Sequence, residues 1–199
     1  YITQIMKGAP IMPKARITRE MVVDAAFDVT RAAGAENVNA RTVSEKLSCS
    51  TQPVMYHFAR IEELKRAVYQ KADLFHTEYL MNIDPGKGVM LSIGLNYIRF
   101  AIKEPNLFRF LFQSGFAVEA SLFEMINSDE LKSLLAAMQN AMEMTEKQTK
   151  EVFTTIALFA HGYASIIANN SLEYDEKTVA RDLTRAYRGA VLAAREENI

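Results

Sequence analysis

Residues 50–58 contain side chains whose types and spacing suit recognition of DNA bases. Thr51 and Gln52 open a predicted short helix, and both side chains can form hydrogen bonds with base edges. Val54 and Phe58 lie four residues apart, so they share one apolar face that can anchor the helix to a core. A helix that begins with polar side chains and packs its apolar face against a core is typical of a helix that enters the major groove. The segment therefore predicts a DNA-recognition helix.

A second short helix precedes this one, and the two form a helix-turn-helix pattern. Asn39 is expected to accept hydrogen bonds from the free N–H groups that open the earlier helix, and Ser50 to do the same for the later one. Val43 and Leu47 share an inward face. Any two amphipathic helices joined by small residues show a similar pattern, so the motif alone leaves an ordinary helix pair open.

The flanking segments favour the DNA-binding interpretation. Upstream, residues 16–34 have the pattern of an amphipathic helix, with Thr18 as the expected N-cap and Gly34 as its end. Downstream, Glu62 and Glu63 place negative charge at the start of another helix, where the helix dipole favours it. A capped helix, a helix-turn-helix and a connecting helix in this order resemble the N-terminal domain of the TetR/AcrR family of transcriptional regulators.

The resemblance covers about residues 17–68. The family pattern has an Ala-Ala first helix ended by Gly, then Thr-x-Arg, Leu-Gly-Val-Ser and a closing Tyr-x-His-Phe-x-x-Lys-x-x-Leu. The residues that match this pattern or occupy its places are Ala25, Ala26, Gly34, Asn39, Arg41, Leu47, Ser48, Cys49, Ser50, His57, Phe58 and Leu64.

Three positions depart from the family pattern. Ser48 stands where a turn glycine is usual, which predicts a non-glycine residue with positive φ. Met55 and Ile61 replace a tyrosine and a lysine that commonly contact phosphates in the family. The side chains that can substitute for these contacts are Arg60, Lys65 and Tyr56.

The motif and the resemblance together predict the residues that contact DNA. They are Thr18, Asn39, Arg41, Ser50, Thr51, Gln52, Pro53, Tyr56, His57, Arg60 and Lys65. Residues 1–71 hold eleven Lys or Arg and seven Asp or Glu, a net charge of +4, whereas residues 72–199 have a net charge of −5. A modestly basic N-terminal third suits contact with phosphates. Chance variation in a chain with many charges is the alternative.

Composition predicts an all-helical protein, because 49% of the 199 residues are hydrophobic and only eight are Gly and five Pro. With the resemblance, this predicts an all-α fold of about nine helices: a three-helix DNA-binding head with the helix-turn-helix, then a helical ligand-binding and dimerisation domain. The predicted boundaries are a disordered or expression-derived tail over residues 1–13, a DNA-binding domain over 14–61 and a regulatory and dimerisation domain over 62–199.

The single cysteine, Cys49, excludes an intrachain disulfide and fits the reducing cytoplasm, where we expect this protein. Its place in the predicted turn favours a small buried thiol. The sequence shows no run of about eighteen apolar residues, and its start lacks the basic-then-apolar order of a secretory signal. No membrane partner is therefore predicted.

The predicted helix over residues 145–169 is apolar around most of its circumference, and the last one, over residues 175–195, adds an apolar stripe whose alanines allow close approach. The first of these helices must be covered on two sides. One side fits the protein's own core and the other needs a partner, with an ordinary core helix of a monomer as the alternative. The resemblance implies a homodimer through these helices, with two recognition helices facing half-sites of a near-palindromic operator in double-stranded DNA.

Aromatic residues crowd the middle of the chain, and methionines follow them. Walls of this kind adapt to apolar or cationic small molecules, although each residue taken singly also suits a core. The predicted ligand-binding residues are Tyr97, Phe100, Phe108, Phe112, Phe116, Met125, Met138 and His161. His161 is either a polar anchor in this pocket or a hydrogen-bonded core or interface histidine. His76 is expected on the surface or at a hinge of the connecting helix.

Enzyme interpretations find little support in the sequence. We see no Gly-rich phosphate loop, no Cys/His cluster with metal-ligand spacing and no nucleophile beside a base, so no enzyme activity, metal or cofactor is predicted. The resemblance implies a transcriptional repressor whose affinity for its operator falls when a small molecule binds. The alternative is a helical dimeric interaction module whose N-terminal head binds a protein.

Overall fold

The computed structural model describes residues 16–116, 126–127, 131–170 and 173–196. Within these residues the regular structure consists of nine α-helices and one short 3-10 turn, with no β-strand. The prediction of an all-α fold is therefore confirmed. The predicted tail over residues 1–13 lies outside the described residues, as does nearly all of the helix expected over residues 118–126.

Three helices form the N-terminal head. They are α1 (Arg19–Ala33), α2 (Ala40–Lys46) and α3 (Thr51–His57), with the 3-10 turn at Ala35–Asn37 between the first two. Thr18 caps α1 as expected, because its Oγ1 accepts a hydrogen bond from the N–H of Met21 at 3.2 Å. The helix ends at Gly34, whose φ of 95° is a conformation that favours glycine.

Six further helices form the rest of the described chain. They are α4 (Ile61–Leu80), α5 (Val89–Lys103), α6 (Pro105–Gln113), α7 (Lys132–Met142), α8 (Glu146–Asn170) and α9 (Glu176–Glu196). Pro105 occupies the first turn of α6, where its missing N–H has no partner to lose. Residues 81–88 separate α4 from α5, and Glu104 alone separates α5 from α6.

The core of this second part is built around α8, which packs against both α5 and α9. Gly94 allows α5 and α9 to approach closely, because a Cβ added there would lie 3.3 Å from Cδ1 of Leu183. Leu95, Ile98 and Ala164 are fully buried at this junction of helices. One continuous apolar cluster then extends from these residues into the head.

The head joins the rest of the protein where α1 packs against α4 and α6. Phe27 of α1 meets Phe75 of α4 edge to face, with ring centroids 5.7 Å apart. Arg31 donates from Nε to Oε2 of Glu104 at 2.7 Å, and its terminal nitrogen bonds the other carboxylate oxygen. The guanidinium also lies 5.3 Å from the centre of the Phe75 ring. A bidentate ion pair and two aromatic contacts therefore fix this junction.

By length and composition, α8 is apolar enough to cross a membrane, with a mean hydropathy of 1.3 over its most apolar window. The sequence has no uninterrupted run of about eighteen apolar residues, and α8 meets this criterion as an average over a window that includes polar side chains. In the structure Val152, Ile156, Ala160 and Ala164 of α8 are buried against neighbouring helices. The core helix of a folded domain meets the same criterion, so the criterion does not by itself indicate a membrane span.

Replacing Arg31 by Met should destabilise the protein, because the apolar stem is kept while the Glu104 carboxylate, only 8% exposed, loses its cation. We expect the free energy of unfolding to fall by about 1–3 kcal/mol, measured by urea denaturation. The matched control is Lys46→Met, which breaks the exposed pair between Lys46 and Asp28 and should cost less than about 0.5 kcal/mol. Equal losses in the two variants would contradict this role of the Arg31–Glu104 pair.

Candidate DNA-binding surface and aromatic core

The turn between α2 and α3 depends on a strained residue. Ser48 has φ of 50°, so the positive φ predicted from its place in the motif is confirmed. A Cβ in this conformation costs roughly 1–2 kcal/mol, which surrounding contacts must offset. The backbone of the turn supplies two of them, since the N–H of Ser48 bonds the carbonyl of Glu45 at 3.1 Å and that of Cys49 bonds Ser44 at 3.0 Å.

The two helices of the motif begin differently. Asn39 caps α2 as predicted, because its Oδ1 accepts hydrogen bonds from the N–H groups of Arg41 and Thr42, each at 3.0 Å. Ser50 stands at the N-cap of α3, but its side chain makes no capping hydrogen bond, so that expectation is wrong. Cys49 is half-buried rather than enclosed in the core, which corrects the second expectation for this turn.

One face of the recognition helix α3, here called its back, is enclosed in the core, and the opposite face, its front, is exposed. Val54 is fully buried and Phe58 is 2% exposed, and both belong to the core of the head. On the opposite side Thr51 and Gln52 are exposed, and Tyr56 is 75% exposed. The apolar face therefore holds α3 in place while its polar side chains remain accessible to a partner.

Basic residues flank α3 in the sequence. Arg41 is 85% exposed and pairs with Glu45 at 2.9 Å on the surface of α2. Arg60 is exposed between α3 and α4, and Lys65 is partly exposed on α4. The guanidinium of Arg19 lies 4.6 Å from the centre of the Phe58 ring, so this cation is held against the back of the motif.

Thr18, Pro53 and His57 are among the predicted DNA contacts whose side chains are half-buried or engaged in other contacts. Thr18 uses its hydroxyl to cap α1, and Pro53 is half-buried. His57 was expected to face outward, but it is half-buried and its Nε2 lies 3.0 Å from the carbonyl oxygen of Ile17. The structure therefore turns His57 toward the segment before α1 instead of toward solvent.

Most of the predicted ligand-binding residues lie together between α4, α5, α6 and α8. The ring of Tyr97 lies 5.5–6.2 Å from those of Phe108, Phe112 and His161. Tyr97 and His161 are joined by a hydrogen bond of 2.9 Å between the phenol oxygen and Nδ1. The Nε2 of the same histidine lies 3.3 Å from Oγ of Ser165. His161 is thus a hydrogen-bonded residue at the edge of the core.

Not all of the predicted ligand residues are accessible at this cluster. Phe100 and Phe108 are fully buried, so no ligand reaches them without movement of neighbouring side chains. Phe116 packs on Phe110, with ring centroids 5.5 Å apart. Met138 belongs to a separate apolar cluster formed by α7, α8 and α9. Met125 lies outside the described residues.

His76 is the residue of this region that the sequence interpretation misplaced. It is 7% exposed, and its ring lies 4.8 Å from Phe100, 5.2 Å from Phe112 and 5.5 Å from Tyr97. Its Nε2 has no hydrogen-bond partner among the described residues. The expectation of a surface or hinge position is wrong. His76 lies four residues after Ala72 and eight after Val68, which are both buried, and this spacing indicates an inward position on α4.

The polar groups of this aromatic core are uncharged near neutral pH. Burial lowers the pKa of His76 to about 4 and also lowers the pKa of His161. Burial raises the pKa of Tyr97. A molecule entering here would therefore meet aromatic faces and neutral hydrogen-bonding groups.

Stability should decline at acidic pH because the folded protein binds a proton on His76 more weakly than the unfolded chain does. The contribution of His76 to the free energy of unfolding is complete above 6.5, the ordinary pKa of histidine, and is lost as pH falls toward 4. We expect the free energy of unfolding to drop by about 2–3 kcal/mol from pH 7 to pH 4.5, and by clearly less in His76→Phe. Urea denaturation at several pH values measures this. His161→Phe is the comparison and should flatten the dependence less, and an unchanged slope in His76→Phe would contradict the assignment.

Comparisons with known proteins identify the fold through solved structures. No protein-family description and no curated protein matches the chain. A tetR-family transcriptional regulator from Streptomyces coelicolor matches with a TM-score of 0.69 at 14% identity, covering 90% of this chain and 82% of that one. A TetR-like transcriptional regulator from Rhodococcus sp. RHA1 matches with a TM-score of 0.58 at 21% identity, covering 89% and 97%.

A third similar structure is the multidrug binding protein EbrR complexed with ethidium, with a TM-score of 0.58, 18% identity and coverage of 84% of this chain and 97% of that one. Sequence identities this low support only a shared architecture. Each of the three matches covers at least 84% of this chain. The protein described here therefore has the fold of the TetR-family transcriptional regulators.

Proposed function

We propose that this protein is a cytoplasmic, sequence-specific DNA-binding transcriptional regulator, and that it is a repressor released from its operator by a small molecule. The observation that carries the proposal is the geometry of α3. Its back is fully enclosed through Val54, while Thr51 and Gln52 stand exposed at its start. An anchored helix with accessible polar side chains can enter a major groove without unfolding the domain that presents it.

Charge around α3 supports contact with the DNA backbone. The N-terminal 71 residues carry a net charge of +4, in a chain whose overall charge is −1. Arg41 and Arg60 are exposed on either side of α3 in the sequence. Basic side chains at the margins of a recognition helix neutralise phosphates, while the helix itself faces the bases.

A dimer is proposed because α8 and α9 each leave apolar side chains uncovered. Leu158 and Ile166 of α8 are 51% and 55% exposed, and Leu192 of α9 is 61% exposed. A Cβ added at Gly162 or Gly189 would meet nothing within 4 Å, so both helices have open surface where another backbone can approach. A second copy packed here by two-fold symmetry would present two α3 helices to one duplex.

The aromatic core is the proposed site of the small molecule. EbrR, whose fold is similar, was solved in complex with ethidium. In this chain the half-buried rings of Tyr97 and Phe112 and the half-buried His161 form the accessible edge of the cluster, so a planar apolar or cationic molecule would enter beside them. To lower operator affinity a hundredfold, the small molecule must bind the DNA-released arrangement of the two heads more tightly than the DNA-bound arrangement. The required difference in binding free energy is ~2.7 kcal/mol.

Substitutions on α3 and α2 should separate base recognition from phosphate contact. Gln52→Ala should change which DNA sequences are preferred, whereas Arg41→Ala should weaken binding to all sequences similarly and reduce its salt dependence. Selection of bound duplexes from a random pool, followed by titration at several salt concentrations, measures both effects.

The control variant for these titrations is Lys147→Ala, which removes an exposed cation from the first turn of α8, in the second part of the protein. It should leave affinity and preference unchanged. Unaltered DNA binding in both head variants would refute the assignment of α3. Binding of a protein, with no sequence-dependent and salt-sensitive DNA binding, would support the helical interaction module instead.

The dimer prediction is tested by placing charge on the uncovered surface. Ile166→Glu combined with Leu192→Glu should yield monomers, because association would then bury carboxylates without partners. We expect the dimer dissociation constant to rise at least about a hundredfold, measured by sedimentation equilibrium. Leu74→Glu, at a position of α4 that is 66% exposed, is the control and should leave the dimer intact. A stable dimer of the double variant would refute this interface.

A further inference from the structure

A small groove lies between the segment before α1 and the recognition helix, and its wall includes Arg16, which is not among the predicted DNA contacts. Its volume is about 310 Å³, and its lining consists of Arg16, Ile17, Gln52, Pro53, Tyr56 and His57. Gln52 and Tyr56 also belong to the exposed front of α3. The groove therefore opens on the surface that is proposed to face DNA.

Two hydrogen bonds hold the walls of this groove in place. The Nε2 of His57 lies 3.0 Å from the carbonyl oxygen of Ile17, and because a carbonyl only accepts, this nitrogen carries the proton. The next residue, Thr18, is fixed as the N-cap of α1. The backbone is thus tied to α3 at the residue that directly follows Arg16, so the position of Arg16 is set by a contact across forty residues of sequence.

The groups that line the groove favour an anion. Three lining residues, Arg16, Gln52 and Tyr56, carry groups that can donate hydrogen bonds at the margin of a largely apolar groove, and no carboxylate is among the lining residues. Glu20, in the first turn of α1, bonds its own backbone and Thr18, and these bonds lower the pKa of its carboxyl. Arg16 is exposed and Tyr56 is 75% exposed, so both reach solvent on this side of the head.

We propose that this groove binds one backbone phosphate of the DNA, with Arg16 and Tyr56 as its donors and His57 as the residue that positions Arg16. The inference rests on the proposed DNA-binding function and adds a contact that the motif does not contain. A phosphate held here lies beside α3 while Thr51 and Gln52 face the bases. It supplies a backbone contact in a chain that has Met55 and Ile61 at two positions where its motif usually contacts phosphates.

The first experiment compares Arg16→Ala with Arg16→Lys in the full-length protein, on a duplex selected by the wild type. Arg16→Ala should weaken binding roughly tenfold to a hundredfold on every sequence, with the order of preferred sequences unchanged. The slope of log affinity against log salt should shrink by about two per dimer, since one phosphate contact is lost in each subunit. Arg16→Lys should recover most of the wild-type affinity and of the wild-type salt slope. The control Lys147→Ala should change neither the affinity nor the slope.

The second experiment locates the phosphate and tests the role of His57. Duplexes carrying one neutral methylphosphonate at successive positions should reveal a site where neutralisation weakens the wild type but has no effect on Arg16→Ala. His57→Ala should reduce sensitivity at that same site, whereas His57→Gln should retain it because its amide can donate to the Ile17 carbonyl. A purely structural role of His57 would instead lower sensitivity to all phosphates alike.

The outcomes separate this inference from the function on which it rests. If the wild type selects a duplex and Gln52→Ala alters its preference, but Arg16→Ala keeps the wild-type affinity and salt slope, the phosphate groove is refuted and the regulator assignment stands. If the wild type binds no duplex at all, both are refuted. The groove is established if one methylphosphonate position weakens the wild type but not Arg16→Ala, and if Arg16→Lys regains the sensitivity at that position.

Discussion

The contact between α1 and the corner formed by α4 and α6 determines how the head is held. Arg31 and Glu104 meet through two hydrogen bonds, and the carboxylate is almost enclosed. Phe75 lies beneath the guanidinium and against Phe27, and its other neighbour in the core is Phe100, at 6.2 Å. One ring of α4 therefore touches both the head and the aromatic core. A movement of that ring must either shift α1 or expose a carboxylate without its cation, and both are costly.

This arrangement gives the proposed regulation a physical route. The helix α4 is continuous from Leu64, buried against the head, to His76, enclosed by the aromatic core. A molecule that separates the rings around His76 acts on the same rigid helix that supports the head. Packed cores have few alternative arrangements. A small displacement at one end of a helix therefore tends to produce a switch between two discrete packing arrangements at its other end.

The local features of the fold could be predicted from the sequence, whereas the environments of single polar residues could not. The caps at Thr18 and Asn39 and the apolar face of α3 follow from residue types a few positions apart. His76 was misplaced because a polar residue type was given more weight than its inward spacing on α4. The missing cap at Ser50 depends on the orientation of one hydroxyl, which the spacing of residues does not determine.

The long helix α8 also matters before the protein has assembled. It is apolar enough to meet the criterion for a bilayer span, and side chains such as Leu158 and Ile166 stay uncovered in the single chain. In the proposed dimer, a newly synthesised subunit that has not yet paired would therefore expose an apolar surface of the kind that chaperones and proteases bind. The cellular half-life of the protein would then depend on its own concentration, since pairing competes with degradation. If the protein is the dimeric regulator proposed above, its last copies would be degraded faster than its first once synthesis stops.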